Sequence, residues 1–269
     1  MRRFLGTLGP GLVSGAADDD PSGIATYSVA GARFGTALLW TAWLTWPLMA
    51  AVQMACARIG MVTGRGLAGA LKEKFPRPLI AAAAVALFVA NTLNVGADLA
   101  GMADAAEVLT GLNSHVFVVV FGVGIAWAII RFRYHQIASI LKWLALVLLA
   151  YVVAAFQTGI SWRQVATEAF AVSWPRGEAL GMLVAILGTT ISPYLFFWQA
   201  SQEVEEEKAM GRRLLVRREG ATSRQLADRR LDVGVGTFFS NLVMFFVILT
   251  TARTLHVHGL TRLETSREV

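Results

Sequence analysis

The sequence predicts an all-α membrane protein with about seven transmembrane helices, of which the first and the sixth are interrupted. Composition is the first reason: 55% of the 269 residues are hydrophobic and only 16% are charged, whereas soluble domains carry about 25% charged residues. The second reason is that long apolar runs alternate with short basic segments. The third is that Asp-Pro and Ser-Pro sequences interrupt two of these runs.

The apolar runs are long enough to cross a bilayer, because a spanning helix needs about 20 mostly apolar residues. Helices also pair every backbone N–H and C=O group internally, as the interior of a membrane requires. The runs cover residues 5–33, 36–62, 78–104, 115–132, 137–159, 178–203 and 231–256.

The distribution of charge predicts the orientation and argues against a nucleic-acid partner. Most of the 24 Lys and Arg residues lie in segments that face the cytoplasm if the N-terminus is inside. We therefore expect a multi-pass protein of the plasma (inner) membrane, surrounded by the lipid bilayer, with a cytoplasmic N-terminus. Segment 204–230 is expected to be a solvated, partly helical cytoplasmic loop. The oligomeric state stays open.

Three consecutive carboxylates stand within the first apolar run, at Asp18, Asp19 and Asp20. One ionised carboxylate at the bilayer centre costs about 2.5–3.5 kcal/mol, so such residues indicate an ion pathway, a proton relay or a counter-ion. Pro21 cannot donate a backbone hydrogen bond and Gly23 relaxes the backbone, so we expect the helix to break beside Asp20. Carboxylate and freed carbonyl oxygens are ligands that hard cations prefer.

The sixth run repeats this pattern in the sequence "GTTISPY", where Pro193 again interrupts an apolar span. Taken alone, this proline is also compatible with a kinked helix that serves only packing. Two interrupted helices, five spans apart, instead indicate the binding site of an inverted-repeat transporter. The chain then consists of a first repeat with helices one to five, the start of a second repeat, and a polar tail, at residues 1–160, 161–256 and 257–269.

Both interrupted runs resemble those of the Nramp family of divalent-metal transporters. The family's first helix carries Asp-Pro-Gly-Asn, then Ala-Thr and Ala-Gly-Ala, and this sequence reads "DPSGIAT" and "AGARFGTALLW". Its sixth helix carries Gly-Ala-Thr-x-Met-Pro-His, which resembles "GTTISPY", and "CARIGMVTGRGLA" fits as well. The similarity extends from about Leu8 to Gly259. It implies a helix bundle of the LeuT-like (APC) type, a divalent metal ion as transported substrate, no cofactor and no enzymatic activity.

The resemblance also implies a metal site that departs from the family pattern. Asp20 matches the metal-binding aspartate, whereas Gly23 stands in place of the binding asparagine. Ser192 replaces the binding methionine, and Thr189 takes the position of an alanine whose backbone carbonyl contacts the metal. Losing a soft thioether ligand favours harder ions, and a roomy oxygen-only site suits Mg²⁺, which retains several waters. The pattern is closest to the Nramp-related magnesium transporter branch, so we expect uptake of Mg²⁺, or of Mn²⁺ with poor discrimination.

The residues of the family's proton pathway are incomplete in this sequence. Tyr194 replaces a histidine of the sixth helix. In the third helix, Asp98 matches the first residue of an Asp-x-x-Glu pair, but Gly101 replaces the glutamate. We therefore expect import that is weakly or not coupled to protons and is driven by the membrane potential. A dication gains about 4.6 kcal/mol per 100 mV, at roughly 2.3 kcal/mol per charge.

Further polar residues are expected to line the ion's path or to support the site. Consecutive helical positions diverge by about 100°, so Asp18 and Asp19 are expected to attract cations without binding the same ion as their neighbour; a water-exposed helix end is the alternative. Asn94 and Asp98 share one stripe of the third helix, where interhelical hydrogen bonding explains them equally well. Gln199 either hydrates the path or packs between helices.

Three other functions are compatible with parts of this pattern. An amino-acid transporter of the same fold is one, although the Asp20 carboxylate would repel a substrate carboxylate. An intramembrane aspartyl hydrolase needs facing carboxylates that share a proton, for which Asp20 and Asp98 are the only plausible pair. The family has at least ten core helices, so a chain with seven is alternatively an inactive, truncated transporter.

Overall fold

The computed structural model describes residues 10–132, 136 and 145–261. Every regular element in this part of the chain is helical, in agreement with the predicted all-α class. The start of the first predicted run, residues 137–144 of the fifth run and most of the predicted polar tail lie outside the described residues.

The helices follow one another with short connections throughout the described ranges. The α-helices are α1 (Pro10–Asp18), α2 (Pro21–Phe34), α3 (Thr41–Thr63), α4 (Leu67–Lys74), α5 (Arg77–Thr110), α6 (Ser114–Arg131), α7 (Ala150–Gln157), α8 (Trp162–Phe170), α9 (Glu178–Thr190), α10 (Pro193–Ala209), α11 (Leu215–Arg218) and α12 (Ser223–Thr254). Short 3₁₀ helices, Ala145–Leu149 and His256–His258, precede α7 and follow α12.

Prolines begin three of the helices described above, α1, α2 and α10. Pro21 and Pro193 stand in the first turn of α2 and α10, where the missing N–H group has no intrahelical partner to lose. Asp20 and Ser192 occupy the preceding N-cap positions in extended conformation. The sequence therefore specifies both helix starts locally, by a polar cap followed by proline.

Four helical stretches of the described chain are long and apolar enough to cross a membrane: Arg77–Thr110, Ser114–Arg131, Glu178–Ala209 and Ser223–His258. The predicted run 115–132 nearly coincides with α6. The surfaces of α5 and α6 are largely apolar and open, with Phe88 at 72% and Ile130 at 86% exposure. Such surfaces need an apolar environment, which lipid or further protein supplies.

The chain divides into two compact units, which are interleaved along the sequence. The first unit comprises Met1–Asp18, Thr45–Thr92 and Ile191–Ser240, and the second comprises Asp19–Leu44, Leu93–Thr190 and Asn241–Val269.

Within the first unit, small residues allow helices to approach closely. Helices α1 and α4 both pack against α10. A Cβ atom added at Gly15 would lie 2.2 Å from the carbonyl oxygen of Gly236, and one at Gly60 would lie 2.7 Å from that of Ala200. These glycines bring α1 against α12 and α3 against α10 at backbone distance, as is common between membrane helices.

Within the second unit, α2 packs against α9 and against the 3₁₀ helix that follows α12. His256 Nδ1 lies 2.9 Å from the carbonyl oxygen of Ala32. Gly31 gives α2 a close approach to α12, because an added Cβ would lie 2.4 Å from the carbonyl oxygen of Ile248. Trp43 stacks on Phe170 with 5.9 Å between ring centroids. These contacts fix α2, which carries the candidate site at its N-terminus.

Candidate metal-binding site

The candidate site begins at the N-cap of α2. Asp20 Oδ1 accepts hydrogen bonds from the backbone N–H of Gly23 and from the hydroxyl of Ser22, both at 2.7 Å. Aspartate is favoured at this position because its side chain accepts hydrogen bonds from backbone N–H groups that have no partner within the helix. Negative charge is also stabilised at a helix N-terminus. The local sequence thereby fixes the Asp20 carboxylate at the point where α2 starts.

Helix α5 brings an amide and a second carboxylate to Asp20. Asn94 Nδ2 donates to Asp20 Oδ2 and to Asp98 Oδ2, each at 3.0 Å. The backbone N–H of Ser22 donates to Asp98 Oδ1 at 3.1 Å. Asn94 and Asp98 reach the same place because residues four apart share a helix face. Asp20, Ser22, Asn94 and Asp98 are called the carboxylate–amide cluster below.

The donors in these contacts are all neutral, being two backbone amides, one hydroxyl and one side-chain amide. They stabilise two neighbouring carboxylates without cancelling their charge. No group of three or more His, Cys, Asp or Glu side chains suited to a metal occurs in the described part of the chain. A metal ion bound here would therefore have carboxylate, amide, hydroxyl, carbonyl and water oxygens as ligands, which is the set that hard cations prefer.

Of the residues expected at the metal site, Gly23 and Thr189 lie in the same unit as Asp20. Gly23 is in the first turn of α2, where its amide bonds Asp20. Thr189 lies in the last turn of α9, the helix that packs against α2. Its hydroxyl lies 3.2 Å and 3.1 Å from the carbonyl oxygens of Ala185 and Ile186 in its own helix. The α9 terminus is thus positioned beside α2 by packing.

The remaining residues predicted for the sixth helix belong to α10 in the first unit. Ser192 is the N-cap of α10 and is buried, at 5% exposure. Tyr194 follows in the first turn and is half-buried. Gln199 is fully buried and its Nε2 donates to Glu203 Oε1 at 2.7 Å. Gln199 therefore contacts a carboxylate within its own helix.

The other two acids of the first run have different surroundings from Asp20. Asp18 ends α1 and is 1% exposed, and its Oδ2 accepts a hydrogen bond from the Ser240 hydroxyl at 2.7 Å. Asp19 is 6% exposed. Asp18 belongs to the first unit and Asp19 to the second. Three adjacent carboxylates are thus distributed between distinct environments.

A buried charged group, which we call the arginine cluster, lies in the first unit and was not anticipated from the sequence. Arg229, whose side chain is 11% exposed, pairs with Glu203 at 2.9 Å, Glu206 at 2.7 Å and Asp232 at 2.5 Å. Asp232 Oδ2 also accepts a hydrogen bond from the backbone N–H of Gly11 at 2.8 Å. The arginine cluster therefore links α10 and α12 with the first turn of α1.

The prediction of a solvated loop at 204–230 was wrong in part. Helix α10 continues to Ala209 and α12 begins at Ser223. Glu207 is only 3% exposed and pairs with Arg212 at 2.7 Å. Opposite charges can be buried together because each compensates the other. The sequence carried one signal of the arginine cluster. Glu203 and Glu206 on α10, and Arg229 and Asp232 on α12, are each three residues apart, which places each pair on one helix face.

A cavity of about 410 Å³ lies beside the start of α2. Its walls include Pro21, Ile24, Gly101, Tyr151 and Thr254. Gly101 carries no side chain, which leaves room at the position where the Nramp pattern has glutamate. The second unit therefore holds open space next to the residue that follows Asp20.

Sequence comparison identifies relatives over nearly the whole chain. The family described as "Natural resistance-associated macrophage protein-like" (Nramp) matches residues 11–269. The divalent metal cation transporter MntH of Verminephrobacter eiseniae (strain EF01-2) is 29% identical over 267 residues. The protein of the same name from Yersinia pestis (strain Pestoides F) is 26% identical over 264 residues. Each alignment covers 95% of this chain but 57% and 60% of these relatives, so the chain spans less than two thirds of their length.

Solved structures show the same fold. The crystal structure of the Eremococcus coleocola manganese transporter, in complex with an aromatic bis-isothiourea substituted compound, matches with a TM-score of 0.73 at 21% identity. The match covers 93% of this chain and 52% of that chain. A mutant of that transporter matches with a TM-score of 0.65 at 20% identity, covering 97% and 52%. The family match over residues 11–269 shows that the chain belongs to the Nramp family.

Proposed function

We propose that the chain imports divalent metal cations across the plasma membrane as a secondary transporter with an inverted-repeat, LeuT-like bundle. In this proposal α1 with α2, and α9 with α10, are the halves of two interrupted membrane helices, and the N-terminus is cytoplasmic. The observation that carries the proposal is the carboxylate–amide cluster at the start of α2, in a chain of the Nramp family. Relatives named as divalent metal cation and manganese transporters support it.

The proposed ion is Mg²⁺, or Mn²⁺ with poor discrimination between the two. Asp20 binds it directly, and oxygens of Gly23 and Thr189 contribute alongside retained water. None of these residues supplies a sulfur or nitrogen ligand from its side chain. Thioether ligands favour transition metals, so a site built from these residues has little basis for rejecting Mg²⁺.

The proposed driving force is the membrane potential rather than a proton gradient. Asp18, Asp19, Tyr194 and Gln199 attract or hydrate the ion along its path. Gly101 leaves the third helix without a second titratable group one turn after Asp98. An inward-negative potential supplies about 4.6 kcal/mol per 100 mV for a dication, at roughly 2.3 kcal/mol per charge.

The geometry disfavours the two functional alternatives. A substrate carboxylate of an amino acid would meet Asp20 and Asp98 together, which would repel it. An aspartyl hydrolase needs two carboxylates that share one proton. Here the Nδ2 group of Asn94 lies between the carboxylates and donates to both.

Flux into proteoliposomes tests the proposal. The purified chain would be reconstituted, and uptake of Mn²⁺ and Mg²⁺ measured with an inside-negative potential, together with the luminal pH. We expect uptake by the wild type and by Asp104→Asn, a control acid on the same helix as Asp98, and loss of uptake in Asp20→Asn.

Equal uptake in Asp20→Asn would exclude the proposed site, and absence of uptake by the wild type would exclude import by this chain. Strong metal-dependent acidification of the lumen at zero potential would instead contradict the uncoupled mechanism.

A further inference from the structure

The side-chain amide of Asn94 holds together the two carboxylates of the cluster. Its Nδ2 group donates to Asp20 and Asp98 at 3.0 Å each, and its Oδ1 lies 3.0 Å from the Ser22 hydroxyl. Asn94 is half-buried. The partial positive charge of the Asn94 NH₂ group therefore lies between the carboxylates of Asp20 and Asp98.

The hydrogen bonds of Asp20 determine where a cation can approach it. Oδ1 already accepts two hydrogen bonds, from Ser22 and Gly23 at 2.7 Å, and a carboxylate oxygen offers about two acceptor sites. Oδ2 is the oxygen that Asn94 contacts. A cation that binds Asp20 Oδ2 and Asp98 Oδ2 together without breaking the helix cap must displace the NH₂ group of Asn94, because that positively polarised group lies 3.0 Å from both oxygens.

An asparagine can meet this requirement without leaving the site. Rotation of the amide about its Cβ–Cγ bond exchanges the donor NH₂ group for the carbonyl oxygen, and this torsion is broad and roughly two-fold. Ser22 can follow the exchange, because its hydroxyl can donate to Asp20 while its oxygen accepts a hydrogen bond from the NH₂ group. The distances of 2.7 Å to Asp20 Oδ1 and 3.0 Å to Asn94 fit that arrangement.

We propose that Asn94 exchanges the ends of its amide when a divalent cation arrives. Without the ion, Nδ2 joins the two carboxylates; with the ion, Oδ1 binds it together with Asp20 and Asp98. The inference rests on the proposed function, because it assigns two further ligands to the same site. Asn94 thereby supplies, from α5, a side-chain amide oxygen, whereas Gly23 on α2 has only its backbone carbonyl.

The proposed ligands, Asp20, Asp98 and Asn94, determine which ions the site should prefer. Two carboxylates and one amide oxygen favour a dication over a monovalent ion by charge. They contain no soft ligand, so Mn²⁺ and Mg²⁺ are distinguished little. Loss of Asn94 should weaken the binding of both dications by a similar factor.

Calorimetric titration of Mn²⁺ and Mg²⁺ into the purified chain in lipid nanodiscs tests the exchange. Asn94→Ala should weaken the binding of each ion by about tenfold or more, whereas Asn94→Asp should bind at least as tightly as the wild type. Asn91→Ala is the matched control, since Asn91 is also half-buried and lies one turn earlier on α5. We expect wild-type affinity for this control.

Asn94→Asp separates a ligand from a residue that only positions the carboxylates. Aspartate at this position offers oxygen to the ion, but it cannot donate to Asp20 and Asp98. If Asn94 acted only as a donor, Asn94→Asp would bind more weakly than the wild type, and that result overturns the proposal. So does wild-type affinity in Asn94→Ala. If Asn94→Ala does not fold, the comparison of Asn94→Asp with the wild type decides the question by itself.

Failure of the proposed function would give a different result. In that case the wild type would bind neither ion, or Asp20→Asn would bind as well as the wild type. Loss of binding in Asp20→Asn with full binding in Asn94→Ala would instead leave the proposed function standing and remove only the role of Asn94.

Discussion

At the scale of single residues, the two carboxylate oxygens of Asp20 have different roles: one is structural, and the other is proposed to bind the ion. Oδ1 caps α2 through Gly23 and Ser22. Oδ2 accepts a hydrogen bond from Asn94 and is the oxygen that we propose binds the ion. An N-cap normally needs only hydrogen-bond acceptance, which asparagine provides as well as aspartate. Substitution can therefore separate the two roles.

We predict that Asp20→Asn and Asp20→Ala differ in stability but not in ion binding. Asp20→Asn keeps a capping oxygen but loses the hydrogen bond from Asn94, so its melting temperature should fall less than that of Asp20→Ala. Asp20→Ala should lose about 1 kcal/mol of stability with the cap. Neither variant should show the rise in melting temperature that Mn²⁺ gives the wild type, because ligands stabilise only the state that binds them. Stabilisation of Asp20→Asn by Mn²⁺ would refute the assignment of Asp20 as a ligand.

The sequence singles out three residues of the carboxylate–amide cluster but not the contacts that join them. Asp20, Asn94 and Asp98 stand out in the sequence because polar groups in an apolar run are costly. Ser22 does not stand out, because a hydroxyl beside proline is common at helix starts. The contact between Asn94 and Asp20 joins positions 74 apart, and periodicity within one helix cannot reveal such a pairing.

At the scale of elements, buried charge and close backbone approach join the helices within each unit. The arginine cluster joins α10 to α12 through one cation and three carboxylates. The Asp232 carboxylate extends this link to the first turn of α1. Ion pairs of this kind are sensitive to removal of one partner, because the remaining charges stay buried.

Arg229→Met should destabilise the protein strongly. Removal of this cation leaves Glu203 and Asp232 buried without compensation, at a cost of about 3–5 kcal/mol. Arg230→Met is the control, because Arg230 is the exposed neighbour on the same helix and should change stability little. Thermal unfolding in detergent measures both variants. Equal melting temperatures would show that the arginine cluster does not stabilise the fold.

Gly31→Ala should weaken the packing of α2 in the second unit. The added Cβ would lie 2.4 Å from the carbonyl oxygen of Ile248, so backbone must shift, at a cost of about 1–3 kcal/mol. Gly181→Ala is a suitable control on α9, because its Cβ would meet nothing within 4 Å among the described residues. The expected order of thermal stability is wild type and Gly181→Ala above Gly31→Ala. The reverse order would contradict the close approach.

The helices differ in how well the sequence predicts them. Helix α6 is uniformly apolar, and its predicted range of 115–132 differs by one residue at each end from Ser114–Arg131. Helix α12 begins at Ser223, earlier than the predicted 231, because its first turns are polar. Hydropathy detects the apolar part of a helix and misses a charged extension that is stabilised by ion pairs from another helix.

At the scale of the whole molecule, the chain belongs to the Nramp family, and its exposed apolar helix surfaces agree with a membrane environment. Four helical stretches in the described residues are long and apolar enough to span a bilayer. The chain spans 57–60% of the length of the curated relatives described above. The all-helical class could be predicted from hydropathy, because the apolar character of a segment is a local property. Ion choice could not, since it depends on which oxygens meet in space.

The central claim is that a divalent cation binds at the carboxylate–amide cluster, with Asp20 as a direct ligand. Anomalous X-ray scattering from crystals of the chain grown with Mn²⁺ tests this claim most directly. We predict an anomalous peak in contact with Asp20 Oδ2 that disappears in Asp20→Asn crystals. A Mn²⁺ peak elsewhere in the protein, with none at Asp20, would contradict the account.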